Sequence, residues 1–209
     1  MSNKLLVGDR EIGKTTYLFN EIKKLQDDNF IILDSATEHE DKSLLKMVVR
    51  DFSNSKIIFT QNENDVVLNN ISINTFIKNY YNYFPYKDIV SNINCSLCFD
   101  LSYFLEKGHD IFDETNDLQS YRYYRSIYNL LAEQIIISII LCKRYGIIKS
   151  NKVFMDEIEL PITNYKLEKL QDNIDFIAAV HPENAFGTFY KSFDSLNFKP
   201  YKRERRKKQ

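Results

Sequence analysis

The chain has 209 residues, 44% of them apolar and 27% charged, with a net charge of −1 and a mean hydropathy of −0.39. That length holds one substantial domain, or one domain with a subdomain, and that composition fills a core and excludes wholesale disorder. With only 5 glycines and 4 prolines, sandwiches and barrels built on repeated tight turns are disfavoured.

From the N-terminus, Met1, Ser2, Asn3 and Lys4 lead into three apolar residues, too few for the core of a secretory signal. The run 4–7 reads as a short buried strand entering Gly8. Residues 15–25 place Tyr17, Leu18, Ile22 and Leu25 at helical spacing. The run 30–33 reads as a second buried strand ending at Asp34. Residues 41–52 read as an amphipathic helix through Leu44, Leu45, Val48, Val49 and Phe52, and 57–60 as a third strand. Strand, helix, strand, helix, strand is the alternation of a parallel α/β sheet.

The middle of the chain changes character. From 74 to 146 it is aromatic-rich and poor in glycine, with helices expected over 75–83 and 120–145, and 92–117 ambiguous. The longest apolar stretch, 127–142, is interrupted by Glu133 and Gln134 and is shorter than the roughly 20 residues of a membrane span. It reads as a buried helix, and no transmembrane segment is expected. The three cysteines, Cys95, Cys98 and Cys142, are an odd number and supply no disulfide framework. A cytoplasmic location is the corresponding expectation. Strands resume at 153–155, ending at Asp156, and at 176–180, ending at His181, with a helix around 167–170 between them.

The tail is basic. Lys199, Lys202, Arg203, Arg205, Arg206, Lys207 and Lys208 stand against Glu204 alone, a net of +6, which leaves −7 on the remainder of a chain totalling −1. A tail of this kind, expected to be disordered, suits the phosphates of nucleic acid, an anionic membrane or an acidic partner.

Two segments carry chemistry. Gly8, Asp9, Arg10, Glu11, Ile12, Gly13, Lys14 and Thr15 match the Walker A pattern, between an expected strand and an expected helix. Glycines let backbone N–H groups converge on phosphates, and the helix N-terminus faces the same anion. Lys14 is expected to reach the β- and γ-phosphates of ATP or GTP, Thr15 to ligate Mg²⁺, and Thr16 to follow in the same cradle. Asp9, Arg10 and Glu11 charge the loop unusually, so its two carboxylates must point away from the phosphates. The second segment is Asp156-Glu157 at the end of its strand. Asp156 suits the Walker B role of holding Mg²⁺ through water, on a strand expected beside the Walker A strand. Glu157 is placed to orient or deprotonate water.

These two segments together resemble the additional-strand, catalytic-glutamate division of P-loop NTPases, which holds AAA-type ATPases, ABC-type ATPases and helicase motor domains. The resemblance implies a P-loop parallel sheet flanked by helices, Mg²⁺-dependent ATP hydrolysis as a switch or small motor, and often a second subunit or other protein partner completing the site. It implies a γ-phosphate sensor at the end of the strand after Walker B, where His181 stands. Lys14 and Asp156 are 142 residues apart, which suits an inserted helical subdomain, as in ABC-like or superfamily-1 helicase-like proteins. The expected organisation is 1–70 as the first half of the core, 71–146 as the helical insertion, 147–198 as the second half and 199–209 as the tail. Ile71-Ser72-Ile73-Asn74-Thr75-Phe76 resembles the Thr-x-x-Phe segment of superfamily-1 helicases, but no second motor domain and no ABC signature Ser-Gly-Gly occur.

Other features have plainer readings. Cys95 and Cys98 have zinc-ligand spacing, but no second pair follows, and Cys142 and His109 complete a set only by coincidence of folding. They are expected as half-buried thiols on a helix or loop. Tyr121, Arg122, Tyr123, Tyr124 and Arg125 read as an amphipathic helix whose tyrosines half-cover the core, with Arg122 and Arg125 as candidates for a trans arginine. A kinase alternative makes Asp34 the residue that binds or deprotonates an acceptor hydroxyl. A third reading is a nucleotide-binding adaptor that does not hydrolyse.

Overall fold

The computed structural model describes residues 3–9, 12–25, 28–35, 43–58, 85–149, 152–159, 174–185, 190 and 193–197. Among the described residues, seven strands form one sheet: β1 (Lys4–Val7), β2 (Ile31–Asp34), β3 (Ser55–Ile58), β4 (Ser96–Asp100), β5 (Lys152–Asp156), β6 (Asp175–Val180) and β7 (Asp194–Asn197). Their order is β3-β4-β2-β5-β6-β1-β7, and every pairing is parallel. Five described α-helices accompany them: α1 (Lys14–Lys23), α2 (Leu44–Asp51), α3 (Pro85–Ser91), α4 (Ser102–Thr115) and α5 (Leu118–Arg144).

The strands are short and apolar because a parallel sheet is covered on both faces. Alternate residues serve the two faces. Leu5, Ile31, Leu33, Phe99, Met155 and Phe176 join a core with Ile127, Leu131, Ile135 and Ile139 of α5, Phe104 of α4 and Ile89 of α3. Leu6, Ile32, Cys98, Phe154 and Ile177 pack on Leu18, Phe19 and Ile22 of α1 and on Leu44 and Val48 of α2. The fold is a three-layer α/β arrangement with α1 and α2 on one side and α3 to α5 on the other.

The stretch 71–146, expected to be helical, contributes β4 to the interior of the sheet between β2 and β3. Its helices α3 to α5 therefore share a core with the sheet. The ambiguity of 92–117 has a local cause: a strand, a helix and a helix junction follow one another within 22 residues. Asp100 Oδ1 accepts from the Ser102 amide and hydroxyl at the start of α4. Asn116, at φ 57°, ends α4 in the left-handed region that Asn tolerates. Asp117 then caps α5 through the Gln119 and Ser120 amides. α5 is long and apolar enough to cross a membrane by length and composition, and 56% of its apolar window is buried within this fold.

Several expectations need adjustment. α2 starts at Leu44 because the Ser43 hydroxyl accepts from the Lys46 amide. β3 begins at Ser55, two residues before the expected start, and residues 59–60 lie outside the described residues. β7 carried too little alternation to be expected, and Asp194, Ser195 and Leu196 are exposed on this sheet-edge strand. The expected helices at 75–83 and around 167–170, the 71–76 segment and the basic tail lie outside the described residues.

Candidate active site

In a parallel sheet, all strands point their C-terminal ends at one edge, and that edge is where ligands bind in open α/β folds. Here the edge carries Gly8 after β1, Asp34 ending β2, Asp100 ending β4, Asp156 ending β5 and His181 after β6. The register places Asp34 beside both Asp100 and Asp156.

The sequence placed the Asp156 strand beside the Gly8 strand. The structure corrects this: β1 pairs with β6 and β7, and β6 stands between β1 and β5. The two sites still meet, because the side chain of Glu157 turns back across the end of β6.

The 8–15 loop opens with the Gly8 amide donating to Val180 O of β6 at 3.3 Å. It closes on Gly13 at φ 98°, left-handed backbone that glycine adopts without steric penalty, immediately before α1 begins at Lys14. No side chain caps α1, so its N-terminus presents amide donors and positive dipole to the loop. Lys14 is buried at 4% exposure. Its ammonium donates to Gly8 O at 2.6 Å and Asp9 O at 2.8 Å and lies 3.1 Å from Glu157 Oε1. All three ammonium donors are thereby engaged.

Glu157 has φ 53°, one of two described non-glycine residues with positive φ. Its amide donates to Ala179 O at 2.8 Å. Its carboxylate joins Lys14 through Oε1 and accepts from the His181 amide at 3.1 Å through Oε2. His181 therefore reaches Glu157 by its backbone. Its ring lies 3.7 Å from Asp9 Oδ1 and 4.0 Å from Glu183 Oε2. Asp9 is largely exposed. Arg10 and Glu11 lie outside the described residues, Ile12 and Thr15 are half-buried, and Thr16 is exposed.

Asp156 is fully buried, and neither carboxylate oxygen completes a hydrogen bond. Burial pushes its pKa well above the usual carboxylate range, and the Asp34 charge adds to this. The Thr15 hydroxyl opposes the rise, so Thr15 stands close to Asp156 even though no hydrogen bond with good geometry joins them. A buried carboxylate with two open oxygens calls for a proton or a cation. Thr15 and Asp156 thus fit a hard divalent ion of the Mg²⁺ type, which takes oxygen ligands and keeps most of its waters.

Asp34 Oδ2 accepts from the Leu45 amide at 2.8 Å and so anchors the start of α2. Arg125 is engaged by Glu159 in an ion pair and lies 5.6 Å over the Tyr128 ring, whereas Arg122 is exposed. The cysteines differ from the expected pair of half-buried thiols. Cys98 lies inside β4, and burial, with the Asp34 charge added, pushes its thiol up to about 12. Cys95 is half-buried and Cys142 sits buried in α5. His109 stacks 5.2 Å from Tyr121, and no group of three His, Cys, Asp or Glu side chains among the described residues is arranged as a metal cluster.

Three residues that contact the site carried no sequence signal. Ser35 donates to Glu157 O, Tyr128 accepts from the Glu159 amide, and Tyr190 donates to Ile158 O. Each contact joins residues at least 31 positions apart, beyond the reach of any local pattern. A cleft of about 460 Å³ lies at the opposite edge of the sheet, between Phe30, Ile89, Leu97 and Lys152.

Comparison with protein-family models, with curated proteins and with solved structures finds no match to this chain.

Proposed function

We propose that this protein is a Mg²⁺-dependent P-loop nucleoside triphosphatase, hydrolysing ATP as a switch or small motor within a larger assembly. The observation that carries the reading is the 3.1 Å pairing of Lys14, at the head of α1, with Glu157, beyond β5. Two motifs far apart in the chain meet at one point of the sheet edge. The strand order supports the same reading, since β6 is an additional strand between the Walker A and Walker B strands.

In this reading, residues 8–16 cradle the phosphates with backbone amides, and Lys14 leaves Glu157 to take the β- and γ-phosphate oxygens. Thr15 and Asp156 would hold Mg²⁺, which would supply charge neutralisation on the phosphates. Glu157, released from Lys14, orients the attacking water and accepts its proton. His181, just after β6, is then the residue that reports the γ-phosphate. A partner or second copy supplies further cationic charge, and the tail cations at 199–208 offer a contact to nucleic acid.

A kinase reading has one observation in its favour: Asp34 stands in register beside Asp156. Phosphate release from ATP and from GTP in Mg²⁺, with and without DNA or RNA, separates the readings. Steady release that EDTA abolishes is expected. Release only when an acceptor is added, with phosphate appearing in that acceptor, would replace hydrolysis by transfer. No turnover with any addition would leave a binding adaptor.

A further inference from the structure

The four residues 156–159 are held by groups from distant parts of the chain. The Ser35 amide donates to Asp156 O at 3.1 Å, and the Ser35 hydroxyl donates to Glu157 O at 2.5 Å. Tyr190 donates to Ile158 O at 2.7 Å, and Tyr128 accepts from the Glu159 amide at 3.0 Å. Both tyrosines are buried, Tyr128 at 0% and Tyr190 at 2% exposure, and Ser35 also lies beside the Tyr128 hydroxyl. Arg125 adds an ion pair to Glu159 from the same helix as Tyr128. A buried phenol must find a partner, whereas phenylalanine fills nearly the same volume without one. Here two buried phenols and a serine hydroxyl all reach one turn.

That turn contains the left-handed Glu157, a conformation disfavoured for a residue with a Cβ unless its surroundings impose it. The conformation sends the Glu157 carboxylate back over β6 to Lys14 and the His181 amide. We propose that Ser35, Tyr128 and Tyr190 are positioning residues that lock the 157–159 turn, and through it aim the Glu157 carboxylate at the phosphate loop. The inference rests on reading Glu157 as the group that orients water. It also makes α5, through Tyr128 and Arg125, a mechanical handle on that carboxylate.

The test uses Tyr128→Phe and Tyr190→Phe in the full chain. Its first readout is residue-resolved amide hydrogen exchange without nucleotide. The His181 amide is bonded to the Glu157 carboxylate, so its protection reports where that carboxylate points. In both variants the His181 amide is expected to exchange at least about 10-fold faster, with the β4 amides unchanged. The second readout is kinetic: kcat falls about 10-fold while the Kd for ATP moves less than about 3-fold. Combining either variant with Glu157→Gln brings no further loss, because both act through one group. An unchanged His181 amide in both variants overturns the proposal. So does faster exchange that spreads to β4, which would assign the hydroxyls to the fold at large. If the His181 amide responds as expected but the wild type releases no phosphate, the positioning stands and the hydrolase reading fails.

Discussion

Glu157→Gln is expected to bind ATP at least as tightly as the wild type and to lose about 100-fold or more of its turnover, the usual contribution of a positioned general base. In the nucleotide-free fold, Lys14 is divided between two loop carbonyls and the Glu157 carboxylate. An incoming phosphate must compete with that carboxylate for the ammonium. Glutamine keeps the size and the contact with the His181 amide but removes the competing charge. Binding therefore survives or strengthens while proton acceptance is lost. The nucleotide-free variant is also expected to melt lower than the wild type, because a buried ammonium loses its counter-charge. Adding MgATP closes that gap, since the phosphates replace the lost partner. Thermal melts with and without MgATP, alongside phosphate release, check both halves. A variant that turns over at the wild-type rate would remove Glu157 from the chemistry.

Asp156→Asn is expected to have the opposite effect on the empty protein. Asp156 is fully buried, both its oxygens lack hydrogen bonds, and burial with the Asp34 charge raises its pKa well above the ordinary value. A carboxyl raised in the fold stabilises below its unfolded pKa, near 3.9, and that stability is lost as pH rises through the folded value. Asparagine never ionises. The variant and the wild type should therefore melt alike below about pH 4, near the unfolded carboxyl pKa. The variant should melt higher as pH rises, by at least about 2 °C at pH 8, where each kcal/mol is worth about 2–4 °C at this chain length. The same substitution should abolish Mg²⁺-dependent turnover. Mg²⁺ with nucleotide should raise the melting temperature of the wild type far more than that of the variant. An Asp156→Asn protein less stable than the wild type at pH 8 would show that the carboxylate already has a partner.

These opposite effects follow from neighbouring carboxylates in different surroundings, and the sequence showed the pair but not the surroundings. The elements nearest the loop were legible because their signals are local. The run 4–7 into Gly8, the 3.6-residue spacing through Leu18 and Ile22, and the apolar strands ending at Asp34, Asp156 and His181 each announce themselves within a few residues. The order of the strands was not local, so the position of β6 between β1 and β5 was missed. β4 was hidden because Ser96–Asp100 is five residues long and runs almost directly into the α4 cap. The reach of Glu157 depends on a left-handed backbone held by Ser35, Tyr128 and Tyr190. None of those contacts has a spacing that a periodic pattern could reveal.

The most direct measurement is a calorimetric titration of the nucleotide-free protein with MgATP, for the wild type and Lys14→Ala. Lys14 is the one cation among the described residues that the loop carbonyls and Glu157 together hold at the sheet edge. One site per chain is expected in the wild type, with affinity at least about 10-fold weaker in the variant, since charge-assisted bonds to phosphate are each worth about 1.5–3 kcal/mol. Equal binding by the two proteins, or no binding by the wild type, would contradict the phosphate-loop reading.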